Sequence, residues 1–226
     1  MKKLFLALIF SSLFLSCSSD DSSGPPLSDT PDAKVQYDDS SFGIYKGVFV
    51  GSSGTVFIDV YNGETATATL TINGSSKTYT AAEKVAEDFD IVGLTFTNGS
   101  NSFDFSVNGD GSNPTVSNIN ISGHANARMA ILKEFHNSLC RCYVGTYSGD
   151  DSGVLNVVIE GSIVDGWAKS DEGNSVFNCD GTFGGSALWG TFEGGSFSGQ
   201  MNGNTISGGW SNDASESGGW QAKRKL

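Results

Sequence analysis

The sequence predicts an all-β protein, with two small antiparallel β-sandwich or barrel-like domains in tandem. Composition is the first observation, because 30 glycines and only 4 prolines are mixed with many Ser, Thr and Asn residues and with regularly spaced aromatic residues. The second is the alternation of apolar and polar residues over several short stretches, which is typical of strands with one buried face. The third is a motif that occurs once in each half. Together they indicate short strands joined by tight turns, in two copies of one domain.

Residues 1–16 have the three-part plan of an export signal. Lys2 and Lys3 precede an apolar run from Leu4 to Leu15, and the small residue Ser16 follows it. The run is too short to cross a bilayer, which needs roughly twenty residues. We therefore expect residues 1–16 to be a signal peptide that is removed during export.

Cys17 directly follows that small residue. This ending resembles the lipobox of bacterial lipoproteins: Leu15 and Ser16 suit the positions before the cysteine, whereas Phe14 stands where leucine is usual. The resemblance implies that Cys17 is lipidated, becomes the new N-terminus and holds the protein at the membrane. The alternative is an ordinary signal peptide that ends near a cysteine.

Residues 17–41 are rich in Asp and Ser and poor in apolar residues. Such a segment cannot bury enough apolar surface to order itself, so it is predicted to be a flexible tether. Asp20 and Asp21 lie just after Cys17. This start resembles lipoproteins of the Bacteroidetes group that are exported to the outer face of the outer membrane. The resemblance implies an outer-membrane protein that faces the cell exterior.

The repeated motif divides the rest of the chain. It reads Tyr45-x-Gly47-x-Phe49-x-Gly51 in one half and Tyr143-x-Gly145-x-Tyr147-x-Gly149 in the other, at a constant offset of 98. Solenoid repeats are roughly 20–50 residues long, so this offset predicts a duplicated domain. We place the first β-domain at 42–134, a linker at 135–140 and the second β-domain at 141–226. Glycines inside strands are expected where strands bulge or pack closely under an aromatic ring.

Two segments are ambiguous in secondary structure. Residues 81–89 could form a short helix, whereas residues 125–134 have a helical composition but end a run of strands and are therefore predicted to be a strand. Residues 94–107 are predicted to form a hairpin around Asn98-Gly99.

The cysteines beyond the signal are Cys140, Cys142 and Cys179. Cys142 and Cys179 could form a disulfide in an oxidising compartment, or all three could be small buried side chains. No metal site is predicted, because a C-x-C pair with one distant cysteine lacks a fourth ligand.

No catalytic residues are predicted, so we expect a protein that is not an enzyme. The chain has only two histidines, His124 and His136, and no G-x-S-x-G motif. The acidic pairs Asp150-Asp151 and Asp171-Glu172 are flanked by Gly and Ser, which favours solvated turns over a pair of catalytic carboxylates.

All four tryptophans lie in the second half: Trp167, Trp189, Trp210 and Trp220. Exposed on a β-surface, they could stack on sugar rings. Trp210 and Trp220 each follow a Gly-Gly pair, which favours rings packed over glycine in the core.

A net charge of −12 argues against nucleic acid as a partner. We expect a non-catalytic binding or structural module without a cofactor, which contacts the membrane through the lipid at Cys17 and captures a glycan, a peptide or a surface protein. The alternatives are a β-barrel that binds a small ligand in its interior and a hydrolase of polysaccharides.

Cys17→Ser is expected to release the protein from the membrane fraction without unfolding either β-domain, because only the lipid would hold it there. Membrane fractionation of expressing cells, with circular dichroism of the purified variant, tests this. A variant that is folded and remains with the membrane would contradict the lipid anchor.

Overall fold

The computed structural model describes residues 27–62, 65–81, 83–173 and 175–226. Residues 1–16 and Cys17 lie outside the described residues. Within them the all-β prediction is confirmed: sixteen strands form two eight-stranded antiparallel sheets. The helical structure among the described residues is one 3-10 turn, Val35–Tyr37.

The first half is an antiparallel meander whose last strand returns to pair with the first. Its sheet has the order β7-β6-β5-β4-β3-β2-β1-β8. The strands are β1 Gly43–Val50, β2 Gly54–Val60, β3 Thr67–Ile72, β4 Ser75–Ala81, β5 Ile91–Asn98, β6 Asn101–Val107, β7 Thr115–Asn120 and β8 Arg128–Glu134.

The second half is a closed barrel in which every strand pairs with its neighbours in sequence and β16 closes on β9. The strands are β9 Arg141–Gly149, β10 Gly153–Glu160, β11 Ile163–Ser170, β12 Val176–Gly184, β13 Ala187–Phe192, β14 Gly195–Asn202, β15 Thr205–Asn212 and β16 Ser217–Arg224. Closure leaves no free strand edge in this half.

The repeated motif occupies the first strand of each half. Tyr45 belongs to the interior core of the first half, and Tyr143 belongs to that of the closed barrel. A Cβ at Gly47 would lie 2.0 Å from the Ala130 carbonyl oxygen, and one at Gly145 would lie 1.9 Å from that of Gln221. The motif therefore needs glycine at this position because the neighbouring strand passes too close for a side chain.

Aromatic rings fill the interior of the first half. The largest fully buried side chains there are Tyr45, Phe49, Tyr79, Phe96, Phe103 and Phe105. The rings contact one another, for example Tyr45 with Phe105 at 4.9 Å between centroids. Burial of each ring contributes on the order of 2–3 kcal/mol to stability.

The two ambiguous segments have different outcomes. Strand β4 continues through Ala81, and residues 83–89 form a loop, so the helix considered for residues 81–89 is wrong. The strand predicted at the end of the first half is confirmed as β8, where Met129 and Ile131 alternate into the core. Pairing with β1 decides the conformation of this segment against its helical composition.

The two halves pack against each other through a small apolar seam. Its buried members are Val48, Ala130, Cys140, Cys142 and Val158. Beside the seam, the buried Asn156 side chain of β10 donates to the carbonyl oxygens of Phe49 at 2.7 Å and Ser52 at 3.2 Å. The main chain of the first half thus satisfies a buried amide of the second.

The predicted flexible tether is wrong for residues 28–38, which we call the strap, because they lie against the folded body. Asp29 pairs with Arg224 at 2.9 Å, and Asp32 pairs with Lys46 at 2.8 Å. The Asp32 amide also donates to the buried Glu134 carboxylate, which pairs with Lys46 at 2.7 Å. Two of the aspartates that suggested a solvated tether instead have a cationic partner, Asp29 on the second half and Asp32 on the first.

A substitution at Gly145 tests the close approach of the barrel strands. Gly145→Ala should lower the free energy of unfolding by about 3 kcal/mol, because its Cβ would collide with main-chain atoms of β16. Gly209→Ala is the matched control, since the nearest atom to its Cβ would be 3.5 Å away. Urea unfolding followed by tryptophan fluorescence measures both; equal losses would contradict the packing described.

Candidate functional site

A cavity of about 340 Å³, which we call the mouth cavity, opens at one end of the closed barrel. The turns after β9, β13 and β15 surround its opening. Its wall is made chiefly of aromatic side chains: Tyr147, Phe177, Phe192, Phe197, Trp210 and Trp220. A volume of this size is at the lower end of the range for small-molecule sites.

Glycines on other strands of the barrel make room for these rings. A Cβ at Gly199 would lie 2.4 Å from the Trp220 ring, and one at Gly190 would lie 2.5 Å from the Phe197 ring. Each ring therefore covers the surface that a side chain would otherwise occupy. The Trp220 ring lies over Gly199 of β14, two strands away in the barrel wall, and not over the Gly-Gly pair that precedes it.

Edge-to-face contacts hold the rings of the wall together. Trp210 meets Tyr147 at 5.9 Å between centroids and Phe192 at 6.5 Å, while Phe197 meets Trp220 at 6.2 Å. Such contacts add roughly 0.5–1.5 kcal/mol each beyond area burial. The wall is thus preformed in the absence of a ligand.

The polar atoms of the rings are already hydrogen-bonded within the protein. Trp210 Nε1 donates to the Ser148 carbonyl at 3.1 Å, and Trp220 Nε1 donates to that of Gly209 at 3.0 Å. The Tyr147 hydroxyl donates to Asp151 at 2.9 Å. Burial, and next the bond to Asp151, raise the pKa of Tyr147, so the phenol stays protonated.

Four carboxylates border the opening of the mouth cavity: Asp151, Glu193, Asp213 and Glu216. Asp151 accepts from Tyr147 and, at 2.9 Å, from the Ser170 hydroxyl, and Glu216 accepts from the Asn212 amide at 2.7 Å. Glu193 and Asp213 are exposed and have no side-chain partner in the described part of the chain. The opening therefore carries negative charge above an apolar wall.

The four tryptophans do not form one surface. Trp210 and Trp220 line the mouth cavity, and Trp167 packs at the seam between the halves. Trp189 is 50 % exposed on the outer face of β13. The choice between a binding face and the core is therefore resolved separately for each ring, because alternation along a strand places its residues on opposite faces.

The three cysteines Cys140, Cys142 and Cys179 are free and buried. Cys142 belongs to the seam outside the barrel, whereas Cys179 belongs to the barrel interior. The disulfide considered between them is therefore not formed, and the alternative of small buried side chains describes all three. Burial, and next the charge of Asp180, raise the pKa of the Cys179 thiol to about 12.

The acidic pairs near the opening serve as turn residues. Asp150 accepts from the Ser217 amide at 2.9 Å, and Asp171 accepts from the Ser152 hydroxyl at 3.3 Å. Of the histidines, His124 packs edge-on against Phe49, and His136 pairs with Asp38 of the strap. In the part of the chain that the structure describes, no three metal-binding side chains lie close enough to hold an ion.

Comparisons with known proteins do not identify a family. A scan against protein-family models and a search of curated proteins each give no match to the chain. Within the described residues, none of the helical structure has the length and apolar character needed to cross a bilayer.

Sequence reasoning missed most of the cavity wall. Phe177, Phe192 and Phe197 come from three different strands. Each lies two positions along its strand from an inward-facing Cys or Gly, and this spacing is the sequence signal that they share. It also missed Asp165, which lies directly across from Asp180 on the outer face of the barrel. Burial, and next the charge of Asp180, raise the pKa of Asp165 to about 6.

The raised pKa of Asp165 predicts how the free energy of unfolding changes with pH. The folded protein binds this proton more tightly than the unfolded chain, so the contribution of Asp165 to the free energy of unfolding should increase as pH falls from 7 to 4. Asp165→Asn should remove that pH dependence and stabilise the protein at pH 7 by about 1–2 kcal/mol, allowing for partial exposure.

Urea unfolding at pH 4 and at pH 7, for the wild type and the variant, measures the effect. Asp180→Asn serves as a companion, since removal of the opposing charge should give a smaller change of the same sign. If the free energy of unfolding changed with pH in the same way for the wild type and for Asp165→Asn, the folded and unfolded states would bind this proton equally. That result would contradict the prediction.

Proposed function

We propose that the protein is a lipid-anchored lipoprotein of the outer membrane, facing the cell exterior, and that its closed barrel binds a small molecule without catalysis. The mouth cavity carries this proposal. It is open to solvent, about 340 Å³ in volume and lined by aromatic rings. Eight-stranded barrels are wide enough to hold one small ligand in this way.

The difference between the two halves supports ligand binding by the second. Large rings such as Phe96, Phe103 and Phe105 are fully buried in the first half. The other cavity described, about 180 Å³, lies at that half and has a mixed lining that includes Lys77, Asn101 and Ser122. A duplicated scaffold in which one copy is filled and the other retains a cavity is consistent with a support and a binding domain.

The strap supports access to the mouth cavity. Ser28 and Asp29 contact Arg224, which pairs with Tyr143 at the end of the barrel away from the opening. The described chain therefore begins at the end of the barrel opposite the opening. A lipid at Cys17 would leave the opening free to face outward.

A variant that fills the mouth cavity tests the function. The neutral apolar dye N-phenyl-1-naphthylamine should bind the wild type with a rise in its fluorescence, because the site excludes water. Ala168→Phe, which places a ring among the lining residues, should weaken this binding at least tenfold. Ala187→Phe makes the same exchange on the face of β13 opposite the buried Leu188 and should leave binding unchanged.

Circular dichroism and thermal melting confirm that both variants fold. Equal dye binding by the two variants would contradict the mouth cavity as the site. Binding that survives Ala168→Phe and is lost in Trp189→Ala would assign ligand capture to the outer face of the barrel instead.

A further inference from the structure

We infer that the ligand of the mouth cavity is an organic cation, an amine or quaternary ammonium group attached to an apolar body. This inference rests on the proposed ligand-binding function and concerns the chemical class of the ligand. It follows from which polar groups of the wall are already paired, which remain available, and how charge is arranged at the opening.

Each side-chain donor group of the wall makes a hydrogen bond within the protein. Among the lining residues that the structure describes, Tyr147, Cys179, Trp210, Asn212 and Trp220 carry side-chain N–H, O–H or S–H groups. Each donates to a protein acceptor, at distances from 2.7 Å for Asn212 to 3.8 Å for Cys179. An anion or a carbonyl-rich ligand would therefore find one uncommitted side-chain donor, the second N–H of the Asn212 amide, and burial of its other acceptors without a partner is costly.

The groups that remain available attract positive charge. The ring faces of the wall carry the negative side of the aromatic quadrupole. The lining includes the carboxylates of Asp151, Glu193, Asp213 and Glu216, and none of its described residues is Lys, Arg or His. Ring faces and carboxylates both attract a cation, and both repel an anion.

An organic cation fits this arrangement better than a metal ion does. No group of three or more His, Cys, Asp or Glu side chains within the described residues could hold a metal ion. Two of the carboxylates, Asp151 and Glu216, also accept hydrogen bonds from the protein. The opening thus provides a negative field and not a coordination shell, and the apolar wall below it suits the body of an amphipathic molecule.

The order of the groups along the barrel axis fixes how such a ligand would lie. Trp210 is two residues before Asn212, in the strand that ends at the turn carrying Asp213. Deeper in the barrel, Phe197 and Trp220 are buried. The cationic group would therefore lie near Trp210, Glu193 and Asp213, with the apolar body against Phe197 and Trp220.

Three ligands of nearly equal shape test the inference: phenethylammonium, 2-phenylethanol and phenylacetate. Each is titrated into the full-length protein, and tryptophan fluorescence and displacement of N-phenyl-1-naphthylamine report binding. The ammonium should bind about tenfold more tightly than the alcohol, and phenylacetate more weakly than either. Added salt should reduce the advantage of the ammonium and leave the alcohol unaffected.

A double variant, Glu193→Gln with Asp213→Asn, should reduce the preference for the ammonium at least threefold and leave binding of 2-phenylethanol unchanged. Both residues are exposed, so folding should be preserved. Glu83→Gln with Glu87→Gln is the matched control, because it makes the same change in net charge at two exposed positions of the first half. This control should retain the full preference.

The outcomes separate the inference from the proposed function. Binding of the alcohol with equal or greater affinity than the ammonium would overturn the cation preference and leave the ligand site in place. A preference that persists in the double variant, or is lost equally in the control, would also overturn it. If the dye binds the wild type but none of the three ligands displaces it, the inference fails alone, and if the dye does not bind either, both fail.

Discussion

The packing of aromatic rings over glycine on another strand is the constraint on which the closed barrel depends. Eight strands enclose an interior of fixed width, so a large ring fits only where the adjacent position lacks a side chain. Gly190 and Gly199 provide such positions for Phe197 and Trp220. At Gly145 the same need arises from main-chain approach to Gln221. Because each ring is held by a glycine on another strand, the wall of the mouth cavity keeps its shape without a ligand.

The two eight-stranded halves differ in how their interiors are filled. In the first half, fully buried rings such as Phe103 and Phe105 occupy the interior. In the closed barrel, the rings lie against the wall over glycines, and a space of about 340 Å³ remains between them. Stability and ligand binding can then be assigned to different copies, since a cavity weakens the domain that contains it.

Buried charges join the two halves to the start of the described chain. Lys46 and Glu134 pair at 2.7 Å, and Asp32 of the strap contacts both. Loss of one partner would leave an uncompensated buried charge, which costs about 3–5 kcal/mol. The strap is thereby held on the body, and its Asp29 contacts Arg224 at one end of the barrel. The described chain consequently begins at the end of the barrel opposite the proposed ligand site.

Local patterns in the sequence determined the all-β class and the strand at β8. Alternation and turn residues act over a few neighbouring positions, so they can be read along the chain. Barrel closure, the mouth cavity and the separate thiols of Cys142 and Cys179 were decided only by the tertiary structure. Closure pairs β9 with β16, which are distant in sequence, and a cavity is the space left over by side chains from many strands. The strap likewise became ordered through Arg224 and Lys46, partners that its own acidic composition does not reveal, because their positions depend on the folded halves.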